Sequence, residues 1–130
     1  MVNDVKQETL SSIRSLVLVA AATVSSAWTF TGFEHAGFGG QQFILTGLPL
    51  PDPACQNVPD HFKGLLSAFK WESGVDIKNY KCTLTLFTGS DCSGDTIYST
   101  TAVMVEREYV GATYNDKTSS IQVTCTAIVT

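Results

Sequence analysis

The stretch that decides the fold is Phe33–Gly40, FEHAGFGG, in which two phenylalanines stand five residues apart and a glycine pair closes the segment. Residues five apart in a regular strand lie on opposite faces of its sheet, and three glycines in so short a stretch would break a helix. Neither regular element accounts for this spacing. The segment is therefore predicted to fold back on itself.

The spacing recurs in the second half of the chain. Phe87–Gly94, FTGSDCSG, repeats the first phenylalanine and the final glycine 54 residues further on, with Cys92 in place of the second phenylalanine. Each copy is followed at a distance by a serine that opens an alternating segment, Ser67 in LSAFKW and Ser120 in SSIQVTC. A repeat of this kind predicts two related halves, each with a hairpin near its start and a serine-led strand at its end.

From Trp28 onward the sequence alternates apolar and polar residues between closely spaced turn signals, which predicts strands. Such strands bury one face and leave the other in water, so two sheets packed face to face are expected. Four prolines fall in one stretch, LPLPDPACQNVPD, and predict a connecting loop because proline lacks a donor for the sheet ladder. The fold class predicted is an all-β sandwich. Its clearest alternating segments are Trp28–Thr31, Ala68–Glu72, Cys82–Leu86 and Ile121–Cys125.

Residues 1–27 are predicted to be a signal peptide. An uninterrupted apolar run, Leu16–Val24, follows Arg14 and precedes the small residues Ser25, Ser26 and Ala27, which suit a signal peptidase. The run is shorter than the about 20 apolar residues that span a bilayer. The alternative is a buried helix or strand at the start of the domain. The prediction leaves residues 28–130 as one small secreted domain with a single core.

Composition excludes several function classes. The net charge is −4 and the basic residues are scattered, so nucleic acid and anionic membrane surfaces are poor candidate partners. The even cysteine count in a short exported chain favours two disulfides, with buried free thiols as the alternative. His35 and His61 lack zinc-ligand spacing and the chain has no Cys-x-x-Cys pair. No catalytic signature such as G-x-S-x-G or H-E-x-x-H is present, so no enzyme is predicted.

The two hairpin sequences resemble the Greek-key signature of the βγ-crystallin superfamily, in which an aromatic residue, four others, a second aromatic and one further residue precede glycine. The resemblance covers nearly the whole predicted domain and implies two Greek-key motifs forming a β-sandwich. It implies that the rings of Phe33 and Phe38 pack together. It also implies that Gly40 and Gly94 adopt a positive φ, which glycine adopts at little cost.

Further structural expectations follow from the same resemblance. The hydroxyls of Ser67 and Ser120 are expected to bond back to their hairpins, and a disulfide is expected to replace ring packing in the second motif. Because Greek-key order sets the first and last strands of a motif side by side, the resemblance implies a Cys82–Cys125 pair and hence a Cys55–Cys92 pair. The sequence by itself permits three connectivities.

The stretch NDKTSS at residues 115–120 resembles the calcium sequence of this superfamily. Calcium takes about six to eight oxygen ligands. The resemblance implies one site from Asn115, Asp116 and the Lys117 carbonyl, a second that uses the Ser119 hydroxyl, and help from Glu34. The matching stretch of the first half is read as residues 62–67, FKGLLS, which puts Leu66 where a hydroxyl is needed, so binding would be weak. The alternative is a structural turn.

The predicted signal peptide and the resemblance together indicate a secreted, non-enzymatic protein, expected to be a monomer, that acts on a protein or cell-surface target. Small members of the superfamily with a similar sequence pattern include killer-toxin-like proteins. One alternative is a metalloprotease inhibitor that acts through an exposed loop such as Gly47–Pro59. Another is a structural or stress-associated matrix protein without a specific target. The sequence does not rank these three.

Overall fold

The structure is a computed structural model that describes residues 27–75 and 79–128. Residues 1–26 of the predicted signal peptide lie outside the described residues. Within the described part, no helix is long and apolar enough to cross a membrane. The strands are β1 (Trp28–His35), β2 (Gly39–Gly47), β3 (Ala54–Asn57), β4 (Ala68–Glu72), β5 (Tyr80–Phe87), β6 (Thr96–Thr100), β7 (Met104–Arg107) and β8 (Ser120–Ala127), with a short 3-10 helix at Asp60–Phe62.

The strands form two four-stranded antiparallel sheets, with the orders β2-β1-β4-β7 and β3-β8-β5-β6. In each half the first and last strands are neighbours, β1 with β4 and β5 with β8. The third strand of each half crosses to the sheet of the other half, so β3 joins β8 and β7 joins β4. The prediction of two Greek-key motifs in an all-β sandwich is confirmed.

The core forms because each alternating strand turns its large apolar side chains toward the other sheet. Trp28 and Phe30 of β1 are buried, whereas Thr29 and Thr31, which alternate with them, are partly exposed. Rings fill the space between the sheets, and burying each large apolar side chain contributes roughly 1.5–3 kcal/mol. The largest fully buried side chains include Trp28, Trp71, Phe30, Phe62, Phe69, Leu66, Leu84, Leu86, Ile121 and Val123.

Two disulfides cross-link the sandwich, and no described cysteine is free. Cys82 and Cys125 lie directly opposite each other in β5 and β8 and are buried. Cys55 on the edge strand β3 joins Cys92 in the second hairpin. This is the connectivity that the Greek-key resemblance implies. With sequence separations of 37 and 43 residues, each bridge stabilises the fold by about 4 kcal/mol in the chain-entropy model.

Gly32 on β1 makes room for the ring of Phe43, because a Cβ at position 32 would overlap that ring and crowd Leu66. We therefore expect Gly32→Ala to lower the free energy of unfolding by about 1–3 kcal/mol through overpacking. Gly39→Ala is the control, since a Cβ there would lie 3.6 Å from its nearest neighbour. Urea unfolding of both variants checks the prediction, and equal midpoints for Gly32→Ala and the wild type would contradict it.

Candidate cation site at the hairpin end

The first hairpin folds over the outer face of its sheet. The rings of Phe33 and Phe38 meet edge to face with centroids 5.3 Å apart, as the resemblance implies. The Lys70 ammonium on β4 lies 4.7 Å from the centroid of Phe38, a cation–π contact that covers the ring pair. Gly40 has a φ of +75°, and a Cβ there would crowd Glu34 and His35. The tight turn therefore depends on the absence of a side chain at position 40.

The second hairpin is fastened by polar and covalent contacts instead of rings. Ser120 Oγ accepts a hydrogen bond from Cys92 N at 2.9 Å and donates one to Gly89 O. Asn57 donates to the Asp91 carboxylate and accepts from the Asp91 amide. Together with the Cys55–Cys92 bridge, these contacts tie the hairpin to β3 and β8. Gly94 takes the position and the positive φ of Gly40.

The two halves repeat their backbone hydrogen bonds, and the residues before their last strands correspond at an offset of 52 residues, although Phe33 and Phe87 lie 54 apart. Ser67 N donates to Phe33 O, and Ser119 N donates to Phe87 O, both at 2.9 Å. The carbonyls of the same two serines accept from Val110 N and Val58 N, again at 2.9 Å. Ser67 is therefore the counterpart of Ser119 and not of Ser120.

This offset corrects the predicted role of Ser67. In the ladders Phe33 pairs with Ala68, whereas Phe87 pairs with Ser120. The position of the first half that corresponds to Ser120 is therefore an alanine. The Ser67 hydroxyl instead donates to Asp116 Oδ1 at 3.2 Å. The first hairpin therefore lacks the serine hydrogen bonds that Ser120 makes to the second, because Ala68 has no hydroxyl.

The same offset corrects the comparison of the two calcium-like stretches. NDKTSS matches residues 63–68, KGLLSA, rather than 62–67. Leu65 N bonds Phe62 O as Lys117 N bonds Tyr114 O, each at 3.1 Å. Gly64 and Asp116 also correspond in backbone conformation, with φ values of +77° and +61°. The expectation that the Asp116 side chain meets Leu66 in place of a hydroxyl is therefore wrong, because the Asp116 carboxylate accepts a hydrogen bond from the Ser67 hydroxyl.

The candidate site lies where the entrances to β4 and β8 meet. Asp116 N donates to Leu66 O at 3.0 Å, which holds the two entrances together, and Asn115 Nδ2 donates to Asp116 Oδ2 at 3.3 Å. Asn115 Oδ1 is buried and has no hydrogen-bond partner. A buried oxygen without a partner is costly, and a bound cation would satisfy it. A carboxylate, an amide oxygen and a hydroxyl are donors that suit calcium.

The other predicted ligands lie elsewhere. Glu34 Oε1 accepts from Gln41 N at 3.2 Å and lies 3.8 Å from His35 Nε2, so this carboxylate serves its own hairpin. Ser119 lies at the second hairpin, and the Lys117 side chain is exposed. Residues 27–75 and 79–128 contain no group of three or more His, Cys, Asp or Glu that could hold a metal. Asp116 is thus the carboxylate of the candidate site, and Ser67 supplies the neighbouring hydroxyl, which the sequence comparison assigned to the hairpin instead.

Solved structures overlay this chain over 74% of its length. A double mutant of clostrillin with two serines replaced by histidine, in complex with nickel, matches with a TM-score of 0.51 and 18% identity over 97% of its own chain. A double mutant of a βγ-crystallin domain from Clostridium beijerinckii matches with a TM-score of 0.50 and 19% identity over 96% of its chain. The chain has the βγ-crystallin fold. No protein-family model and no curated protein matches the sequence.

Within the βγ-crystallin fold, the hairpin glycines are expected to tolerate side chains poorly. Gly40→Val and Gly94→Val each force a β-branched residue to a positive φ and crowd the hairpin, at positions 34 and 35 in the first half and 88 and 89 in the second. We expect a loss of about 2 kcal/mol or more for each, seen as a melting temperature lowered by roughly 8 °C or more. Ala36→Val at the exposed hairpin tip is the control. A glycine variant that melts with the wild type would contradict the folded-hairpin geometry.

The corrected serine assignment gives a separate prediction. Ser120→Ala removes two hydrogen bonds from a buried position and should cost about 1–3 kcal/mol, because Cys92 N and Gly89 O lose their partner. Ser67→Ala removes one partly buried bond and should cost less. Ala68→Ser offers the first hairpin the missing hydroxyl. Guanidinium unfolding of all three variants tests the assignment, which fails if Ser67→Ala costs as much as Ser120→Ala.

Proposed function

We propose that the chain is a secreted, non-enzymatic binding protein that carries one weak calcium site. The observation that carries the calcium proposal is the buried, unpartnered Asn115 Oδ1 beside the Ser67–Asp116 hydrogen bond. Secretion is supported by the two disulfides, which persist in oxidising compartments, and by the apolar run at residues 16–24. A non-enzymatic role is supported by the positions of His35 and His61, which are exposed and lie in different elements, at the end of β1 and in the 3-10 helix.

Asn115, Asp116 and Ser67 are the side chains that would hold the ion. Bound calcium supplies a positive charge opposite the Asp116 carboxylate and an acceptor for oxygen lone pairs that the protein leaves unused. Ser67 precedes β4 and Asp116 precedes β8, so ligation would join the last strands of the two halves. With Asp116 as its carboxylate, and no group of three or more His, Cys, Asp or Glu among the described residues, the affinity falls in the weak range of extracellular modules, with a Kd of about 0.1–1 mM.

Calcium titration tests this site. At calcium about ten times the Kd, the ion should stabilise the wild type by roughly 1.4 kcal/mol and raise its melting temperature by several degrees. Asp116→Asn should lose most of this shift, because it removes the site's carboxylate while asparagine tolerates the positive φ at this position. Asp52→Asn, in the exposed loop after Leu50, is the matched control. The absence of both heat and a thermal shift in the wild type would favour a purely structural turn.

A second candidate function, inhibition of a metalloprotease, is favoured by the loop between β2 and β3. Leu48 and Leu50 are 47% and 52% exposed although both are large and apolar. The loop is nevertheless anchored, because Cys125 N donates to Leu50 O at 2.8 Å and Gln56 Nε2 donates to Thr46 O at 3.1 Å. An anchored loop with exposed apolar side chains loses little conformational entropy when it binds a cleft.

The inhibitor candidate predicts dose-dependent loss of activity when the protein is added to a panel of metalloproteases. Leu48→Ala with Leu50→Ala should weaken inhibition tenfold or more, because both exposed apolar side chains are removed from the contact. Ile44→Ala on β2 is the control, since Ile44 is at least as exposed but lies outside the loop. Unchanged activity of every protease tested, combined with growth inhibition of susceptible microbial cells, would favour the toxin-like function instead.

A further inference from the structure

The hairpin end of the sandwich contains a second position that matches the candidate cation site. At the offset of 52 residues, Ser119 corresponds to Ser67, Gly64 to Asp116 and Lys63 to Asn115. The second position therefore keeps the hydroxyl but lacks the carboxylate. It also has an ammonium group on the residue that corresponds to the amide-bearing Asn115.

Lys63 directs its charge to the second hairpin. Its Nζ lies 3.4 Å from Ser90 Oγ at the hairpin tip and 3.6 Å from Asp60 Oδ1. The side chain is 39% exposed, so the ammonium remains partly hydrated while it contacts the hairpin. An ammonium is a compact point charge with three donors, and it repels any cation that approaches the same oxygens.

The backbone at the second position is already shaped for a ligand. Gly64 has a φ of +77°, close to the +61° of Asp116. A Cβ at Gly64 would meet just one atom within 4 Å, the Asp116 carbonyl oxygen at 3.9 Å. An aspartate therefore fits at position 64 in the conformation that Asp116 adopts at its own position.

We infer that Lys63 restricts the chain to a single divalent-cation site, because its ammonium takes the place of an ion at the second hairpin. The missing carboxylate at position 64 alone would weaken a second site, whereas the lysine charge excludes the ion. The chemistry of the ligand set rests on the calcium function proposed above. The role of Lys63 rests on the internal correspondence between the halves and on its contact with Ser90.

The test is the calcium stoichiometry of the full chain, measured by titration calorimetry, with calcium-dependent melting as the second readout. Gly64→Asp should still bind one ion, because Lys63 pairs with the new carboxylate. Lys63→Asn with Gly64→Asp should bind two. Binding of two ions by Gly64→Asp alone, or of one ion by a folded double variant, would overturn the inference. Circular dichroism of each variant shows that it is folded.

A triple variant separates this inference from the proposed function. Lys63→Asn, Gly64→Asp and Asp116→Asn together should bind one ion, now at the second hairpin. If the wild type binds none and the triple variant binds one, the proposed calcium function fails and the role of Lys63 stands. If the wild type binds one and the folded triple variant binds none, the role of Lys63 fails and the proposed function stands. Lys81→Asn on the exposed part of β5 is the charge-matched control and should leave the stoichiometry unchanged.

Discussion

The arrangement of the hairpin end depends on one backbone constraint, the hydrogen bond between the entrance of each last strand and the end of each first strand. It runs from Ser67 N to Phe33 O in one half and from Ser119 N to Phe87 O in the other. The bond sets the ladder register, so it decides which side chain lies beneath each hairpin. Because side chains alternate along a strand, a slip of one residue would reverse every buried position that follows. The core and the candidate site therefore share one determinant.

With this register, the two hairpins are held against their sheets by different kinds of contact. The first has Ala68 beneath it and is covered by aromatic packing and the Lys70 ammonium. The second has Ser120 beneath it, whose hydroxyl both accepts and donates, and it is also held by the Cys55–Cys92 bridge. The loss of an aromatic at position 92 is thus offset by covalent and polar contacts. The first hairpin has fewer such contacts. The same half of the molecule contains Ser67, whose hydroxyl contacts Asp116.

Much of the fold could be predicted from the sequence because strand alternation and the paired hairpin spacing are local signals. The topology implied by the resemblance also led to the cysteine pairing found in the structure, since Cys82 and Cys125 share the register of neighbouring strands. The candidate site was harder to predict. Residue identity matches Ser67 to Ser120, because both are serines. The backbone register of the strand ladders instead matches Ala68 to Ser120, one position away.

A signal for the correct offset was nevertheless present in the sequence. Phe69 and Trp71 are the inward apolar pair of β4, and Ile121 and Val123 are the inward pair of β8. Aligning these pairs gives the offset of 52 residues, at which Ala68 of the first half corresponds to Ser120 of the second. The apolar pattern is the better guide because burial of large side chains outweighs one hydrogen bond, which contributes only about 1 kcal/mol. The orphaned Asn115 oxygen, in contrast, is a three-dimensional fact that no pattern reveals.

The proposed cation site is not needed for the stability of the fold. Two disulfides and a ring-filled core hold the sandwich together without an ion, so a bound cation would adjust the hairpin end and not create the fold. Proteins that depend on metal for folding recover the binding energy as folding energy. In this chain one carboxylate serves the site, and Lys63 carries a positive charge at the matching position of the other half. The proposed cation binding would therefore be limited to the position where Ser67 contacts Asp116, next to the hairpin that lacks a disulfide.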